Sequence, residues 1–237
     1  MSEPSTAPRE LVVEIWSDLI CPWCAIGLRR FEKALADFPE QASVKLVHHA
    51  FRLAPGAKVE PVSVVIPRKY GLPPAQAATM FRRVEDAARG EGMDFHLEGT
   101  LHGDTKDGHR LVQYAATVGR QHEVLDRLYK AYFEQGFSLF DRERLLDLVV
   151  EAGLDRERAA AVLDSDDFGE IVEVDQLKLQ EFGVNGVPFF VVDDRFGISG
   201  AQDPKVFAQA LRQAWDEGTP VAAVAGEACD DDGCRIA

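Results

Sequence analysis

Cysteine is scarce in this chain, and long apolar runs are missing. Four cysteines among 237 residues are too few for a disulfide scaffold, and a chain of this length can bury a core without one. No apolar stretch approaches the ~18 residues that a membrane-spanning helix needs. The longest, such as residues 187–192, are the length of a strand. The N-terminal MSEPSTAPRE lacks a basic segment followed by an apolar one, so it reads as a leader rather than a secretory signal. The expected compartment is therefore the cytoplasm. Positive charge is short as well: 26 Lys and Arg against 40 Asp and Glu leave a net charge of −14. That balance argues against nucleic acid and anionic membrane as partners. Repeats and low-complexity tracts are absent from the body of the chain. At 46% hydrophobic and 28% charged, the composition is that of a globular protein rather than a disordered one.

The cysteines that are present come in two close pairs, Cys21 with Cys24 and Cys229 with Cys234. Thiols confined to close pairs in a cytosolic chain point to redox chemistry or metal binding. Around the first pair, residues 11–16 (LVVEIW) read as a strand. Ile26, Leu28, Phe31, Leu35 and Phe38 then recur at helical spacing, and residues 44–51 read as a second strand. Residues 57–74, with Pro61, Pro67, Pro73 and Pro74, read as a linker with short turns. Helical periodicity follows over 74–90, 106–119, 121–135, 141–152, 155–164 and 167–182. Strands return at 188–193 and 195–199, with a turn at Asp193–Asp194. Asp203 and Pro204 are the expected N-cap and first residue of a last helix. The order is β-α-β, a helical block, then β-β-α, which places both ends of the chain in one sheet domain.

Cys21-Pro22-Trp23-Cys24 stands between the first strand and the first helix. A thiol there meets unpaired backbone N–H groups and the positive end of the helix dipole, and both favour the thiolate. Cys21 is then the exposed attacker, Cys24 the resolving thiol one turn inward, and Pro22 fits a first turn that needs no N–H. Two other readings stand beside this one. In the first, the two cysteine pairs form a zinc site; in the second, the thiols are buried and structural. Asn185-Gly186-Val187-Pro188 precedes the strand FFVV, where a proline is tolerated only at the start or edge. Asp18 is read as a turn residue or a proton relay to Cys24, and Trp23 as an apolar surface for substrates or a modulator of the thiolate. His48 and His49 alternate across a strand, so at most one is expected in the core, and no metal site is expected.

Together, CPWC after the first strand, the helical insertion and GVPFF before the third strand resemble the DsbA-like branch of the thioredoxin superfamily. Ser17-Asp18 before Leu-Ile-Cys-Pro-Trp-Cys, and Ile198-Ser199-Gly200-Ala201-Gln202, resemble its FrnE subgroup. The resemblance spans about residues 11–216. It implies an α/β thioredoxin fold over 11–60 and 183–217, with an all-helical insertion over 61–182 whose last helix, about 167–182, packs on the sheet. Residues 1–10 are then a leader and 218–237 a flexible tail with a CX4C pair. The resemblance also implies a cis Pro188 facing Cys21, and backbone groups of Val187 that receive a peptide or thiol by strand addition. Pro22, Trp23, Val187 and Pro188 are the expected substrate-binding residues, and Cys229 and Cys234 an accessory redox pair.

The implied activity is thiol–disulfide exchange with protein thiols or small thiols. Reductase, isomerase and oxidative-stress oxidase directions are all open. No cofactor is expected, and glutathione enters as a redox partner. A glutathione-dependent isomerase or transferase is the alternative on this fold, with a zinc- or redox-sensing module as a third reading. Isomerase relatives usually carry Ser at the second cysteine, whereas this chain keeps Cys24. It also has Asp104 and Gly108 where they have Asn and Ala, so glutathione contacts at Asp104 or His109 are not carried over.

Overall fold

The computed structural model describes residues 10–216, 228–230 and 233–235. The chain opens with β1 (Leu11–Ser17), α1 (Pro22–Ala36) and β2 (Val44–Ala50). Seven helices follow: α2 (Val62–Tyr70) and α3 (Pro74–Gly90), then α4 (Lys106–Thr117) and α5 (Gln121–Tyr129), then α6 (Arg142–Glu151), α7 (Arg156–Asp164) and α8 (Gly169–Glu181). Two short strands, β3 (Glu60–Pro61) and β4 (Leu101–His102), pair with each other around α2 and α3. The chain then returns through β5 (Gly186–Val187), β6 (Phe189–Val192), β7 (Phe196–Ser199) and α9 (Pro204–Asp216). Last come β8 (Ala228–Asp230) and β9 (Gly233–Arg235).

The central sheet has the order β2-β1-β6-β7. β1 runs parallel to β2, with Leu11 opposite Val44 and Ser17 opposite Ala50, and antiparallel to β6. Helices cover both faces, which is why β1 is an almost unbroken apolar run rather than an alternating one. On one side α1 and α9 meet β6 through Phe31, Phe190 and Phe207, whose ring centroids lie 4.7–5.7 Å apart. On the other, α8 docks against β2, and Asp175 accepts a hydrogen bond from the Ala50 amide at 2.9 Å. The β6–β7 turn falls at Asp193 and Asp194, with φ of 56° and 54°. That left-handed pair matches the twist of the hairpin, and aspartate tolerates it. Asp203 Oδ1 accepts from the Lys205 amide at 2.9 Å, next to Pro204 at the start of α9.

Two expectations need correction. Residues 62–70 form α2 rather than a turn-rich linker, with Pro67 inside the helix. Proline at that point gives up one backbone bond, and the face that buries Val65 holds the helix in place. Part of the supposed flexible tail is a β-hairpin: β8 pairs with β9, and β8 also adds antiparallel to β5. Residues 1–9 and 217–227, which include most of the expected leader and the start of the tail, lie outside the described residues.

Candidate active site

β1 delivers the chain to Asp18, and a tight turn follows in which the Cys21 amide donates to the Asp18 carbonyl at 3.2 Å. Cys21 is the N-cap of α1 with an extended backbone, and Pro22 occupies the first turn. The Cys24 amide donates to the Cys21 carbonyl at 3.0 Å, which sets both thiols on the first turn of one helix. Across from them the Val187–Pro188 peptide is cis, and the Cys21 Sγ lies 3.8 Å from the Val187 carbonyl oxygen. Gly27 allows this approach: a Cβ there would lie 3.0 Å from Pro188 Cγ and 3.3 Å from Ala201 Cα. The Gly200 amide donates to the Pro188 carbonyl at 2.8 Å, and Arg30 donates to the Ala201 carbonyl at 2.6 Å. The 198–202 segment therefore braces the proline from behind.

Cys21 is fully buried, which corrects the expectation of an exposed attacker, and Trp23, at 3% exposure, is not an outward-facing surface. Both line a cleft instead. Burial, first of all, pushes the Cys24 thiol well above its usual range. The adjoining Cys21 adds to this, as does the Asp18 charge, while a backbone hydrogen bond from Asp18 works the other way. The Tyr129 hydroxyl donates to the Asp18 carbonyl at 3.3 Å. Its own pKa is driven up by burial and by the neighbouring Cys24, Cys21 and Asp18. A π-helical turn over Lys130–Glu134 follows α5 and carries Tyr132 and Phe133 into the cleft wall.

Asp18 is more than a turn residue. Its carboxylate is fully buried and accepts from the Ile20 amide, the Leu53 amide at 2.6 Å and the Thr105 hydroxyl at 2.8 Å. His109 Nε2 stands 3.6 Å away without a hydrogen-bond partner among the described residues. The helical block is thus tied to the CPWC turn through α4. The two departures noted at 104 and 108 have local explanations. Asp104 is held by Arg52 at 3.1 Å and by the Gly56 amide at 2.7 Å. At Gly108, a Cβ would come within 2.4 Å of Leu19 Cδ1, so the glycine admits Leu19 beneath α4.

A second polar cluster escaped the sequence reading. His49 lies between Glu14 at 2.9 Å and Asp175 at 2.6 Å, stacked on Trp16 at 4.3 Å, and Lys178 reaches Glu14 at 2.6 Å. His48, on the neighbouring strand position, is 2% exposed and touches His122 at 3.2 Å. Of the two, His48 lies in the core and His49 is half-buried, as strand alternation leads one to expect. The partners of His49 lie 35 and 126 residues away, and no local spacing signals them. Among the described residues, no three His, Cys, Asp or Glu side chains converge as metal ligands. The backbone of β8 sets Cys229 opposite Val187, and that of β9 sets Cys234 opposite Cys229.

A CxxC turn opening a helix against a cis-proline, on this sheet order, defines a thioredoxin-fold protein. The chain matches the DSBA-like thioredoxin domain over residues 12–212 and belongs to that family. It is 43% identical to a probable DsbA oxidoreductase from Streptomyces coelicolor, covering 96% of this chain and 100% of that one, with a TM-score of 0.85. The cytosolic disulfide reductase DsbM from Pseudomonas aeruginosa shares the fold at 16% identity, with coverage of 86% and 99% and a TM-score of 0.59. The uncharacterized protein YwbO of Bacillus subtilis (strain 168) is 23% identical over 202 residues, 84% of this chain and 94% of that one. No helix among the described residues is long and apolar enough to cross a membrane.

Proposed function

We propose that this chain is a cytoplasmic dithiol–disulfide oxidoreductase of the FrnE-like subgroup. Cys21 is the attacking thiol, Cys24 the resolving one, and Pro22, Trp23, Val187 and Pro188 frame the substrate. The observation that carries the reading is Cys21 at the start of α1, its Sγ 3.8 Å from the Val187 carbonyl beside the cis-proline, with Cys24 buried in the same helical turn. The Cys21 thiolate attacks one sulfur of a substrate disulfide and releases the other as a thiolate, leaving a mixed disulfide. Cys24 then loses its proton and displaces the substrate thiolate from Cys21. The pair ends oxidised and the substrate reduced by two electrons; the reverse sequence oxidises a dithiol. Direction follows the potential of the pair against the surrounding thiol pool. Protein thiols and small thiols such as glutathione are the partners. Thiols kept to close pairs rather than a scaffold support the cytoplasmic assignment. A glutathione-dependent isomerase is less well supported: Cys24 is retained, and Asp104 is occupied by Arg52 and Gly56.

Cys229 and Cys234 form an accessory redox pair in this reading. Residues directly opposite in an antiparallel ladder have Cα atoms about 4.5–5.5 Å apart, within the span of a disulfide. Strand β8 lies on the β5 edge with Cys229 opposite Val187, and this supports exchange between the two pairs. The deciding experiment is trapping. Cys24→Ser accumulates mixed disulfides on Cys21 that mass spectrometry locates, and Cys21→Ser abolishes exchange. Adducts found on the tail while Cys21 stays free would overturn the assignment. Deleting residues 226–237 is expected to change the rate of the Cys21–Cys24 couple with the fold intact. Unchanged kinetics would remove the tail from the mechanism.

A further inference from the structure

Cys21 lines a cleft between the CPWC turn and helices α2 and α3 of the insertion. The wall is mainly aliphatic and aromatic, with Ile66, Met80 and Phe81 facing Trp23 and Phe133. β5, whose backbone pairs with β8 where strand addition by a peptide was expected, contributes nothing to it. Among the polar groups on the wall, three bear on a ligand. Trp23, buried on it, has an indole N–H with no acceptor among the described residues. Lys69 is exposed on its lining, and no carboxylate pairs with it among the described residues. His102, beside Lys69, is kept below its ordinary pKa chiefly by burial, with the Lys69 charge adding to that and Asp18 and Glu60 opposing it. In a chain of net charge −14, an unpaired lysine over an apolar cleft is a local attractor for an anion.

We propose that this cleft is a binding site for small aromatic disulfides that carry a carboxylate, and that it delivers their sulfur to Cys21 by a route separate from the β5 edge. The proposal rests on the thiol–disulfide reading above and adds to it the class of small substrate. The apolar body of the ligand fills the space between α2, α3 and Trp23, and its carboxylate meets Lys69. The Cys21 thiolate attacks the near sulfur, the ligand S–S bond breaks and the first thiolate leaves. Cys24 gives up its proton and attacks Cys21, and the second thiolate leaves and takes up that proton. The ligand disulfide gains two electrons, and Cys21–Cys24 is oxidised by two.

The test uses the reduced full-length chain and three probes: dithiobis(nitrobenzoate), which is aromatic and anionic; dithiodipyridine, aromatic and neutral; and hydroxyethyl disulfide, small and aliphatic. Each rate is divided by that of dithiothreitol with the same probe, which removes differences in leaving-group reactivity. The nitrobenzoate probe is expected to react with a rate that saturates in probe concentration, and hydroxyethyl disulfide with a rate that stays linear. Lys69→Glu should lower the ratio of the nitrobenzoate rate to the dithiodipyridine rate by about fivefold, the scale of one solvent-facing ion pair. Met80→Trp, which fills the cleft at a half-buried position, should slow both aromatic probes relative to hydroxyethyl disulfide. Linear kinetics with all three probes, or a ratio unmoved by Lys69→Glu, would overturn the cleft proposal and leave the oxidoreductase reading standing. Failure of the reduced chain to react with any probe would overturn the oxidoreductase reading itself.

Discussion

In the proposed mechanism, two thiols one helical turn apart take different roles because their surroundings differ. Cys21 meets the helix N-terminus and the Val187 carbonyl, whereas Cys24 is enclosed beside Asp18 and Tyr129. The raised pKa of Cys24 means that resolving a mixed disulfide requires a proton to leave a buried thiol. That step is therefore expected to accelerate as pH rises from neutral to mildly alkaline. Stopped-flow measurement of mixed-disulfide decay checks the sign, and a decay rate that falls with pH would contradict it. Asp18 has a structural task in the same place. Asp18→Ala strands the buried Ile20 amide and Thr105 hydroxyl and the half-buried Leu53 amide. An unsatisfied buried donor costs about 1–3 kcal/mol, so a loss of roughly 3 kcal/mol or more in unfolding free energy is expected by urea titration. The importance of CPWC could be read from four adjacent letters. The roles of Thr105 and His109 could not, because they reach Asp18 from a helix nearly ninety residues later.

At the scale of elements, the site depends on how closely α1 approaches the β5–β6 junction. Gly27→Val puts branched carbon atoms where Pro188 Cγ and the Ala201 backbone already stand. Overpacking of this kind costs about 1–3 kcal/mol. We expect that loss by thermal unfolding, together with slower exchange, because Pro188 is displaced from Cys21. Unchanged exchange would mean that the fine position of Pro188 does not matter. Most elements announce themselves locally: β1 by its apolar run, α9 by Asp203-Pro204, the β6–β7 turn by two aspartates. α2 does not, since Val62, Val64, Val65 and Ile66 are β-branched and Pro67 interrupts the pattern. Its helical state is held by packing on the insertion, which no local rule contains. The hairpin of β8 and β9 was equally hidden, because its partner strand β5 has only two residues, more than forty positions away.

Across the whole molecule, enclosure of the sheet by helices makes stability depend on pH through the histidines. His48 is brought down to about 3 by burial first and then by His122 and His49. A histidine held neutral when folded and free to charge when unfolded costs stability as pH falls through its unfolded value near 6.5 and on toward 3. The loss has an upper bound on the order of 5 kcal/mol. His122 works in the opposite sense. Glu32 raises it, so its contribution is present below about 6.5 and fades as pH climbs through the folded value. His48→Leu is therefore expected to flatten the acid limb of a urea-midpoint profile between pH 7 and 4, and an unaltered limb would contradict this account of His48. The central claim, that Cys21 and Cys24 form the working redox couple, is tested most directly by titrating the chain against glutathione redox buffers, with alkylation and peptide mapping at each point. The account predicts one cooperative two-electron transition in which Cys21 and Cys24 lose their label together. Cysteines that stay free across the whole range, or a transition confined to Cys229 and Cys234, would contradict it.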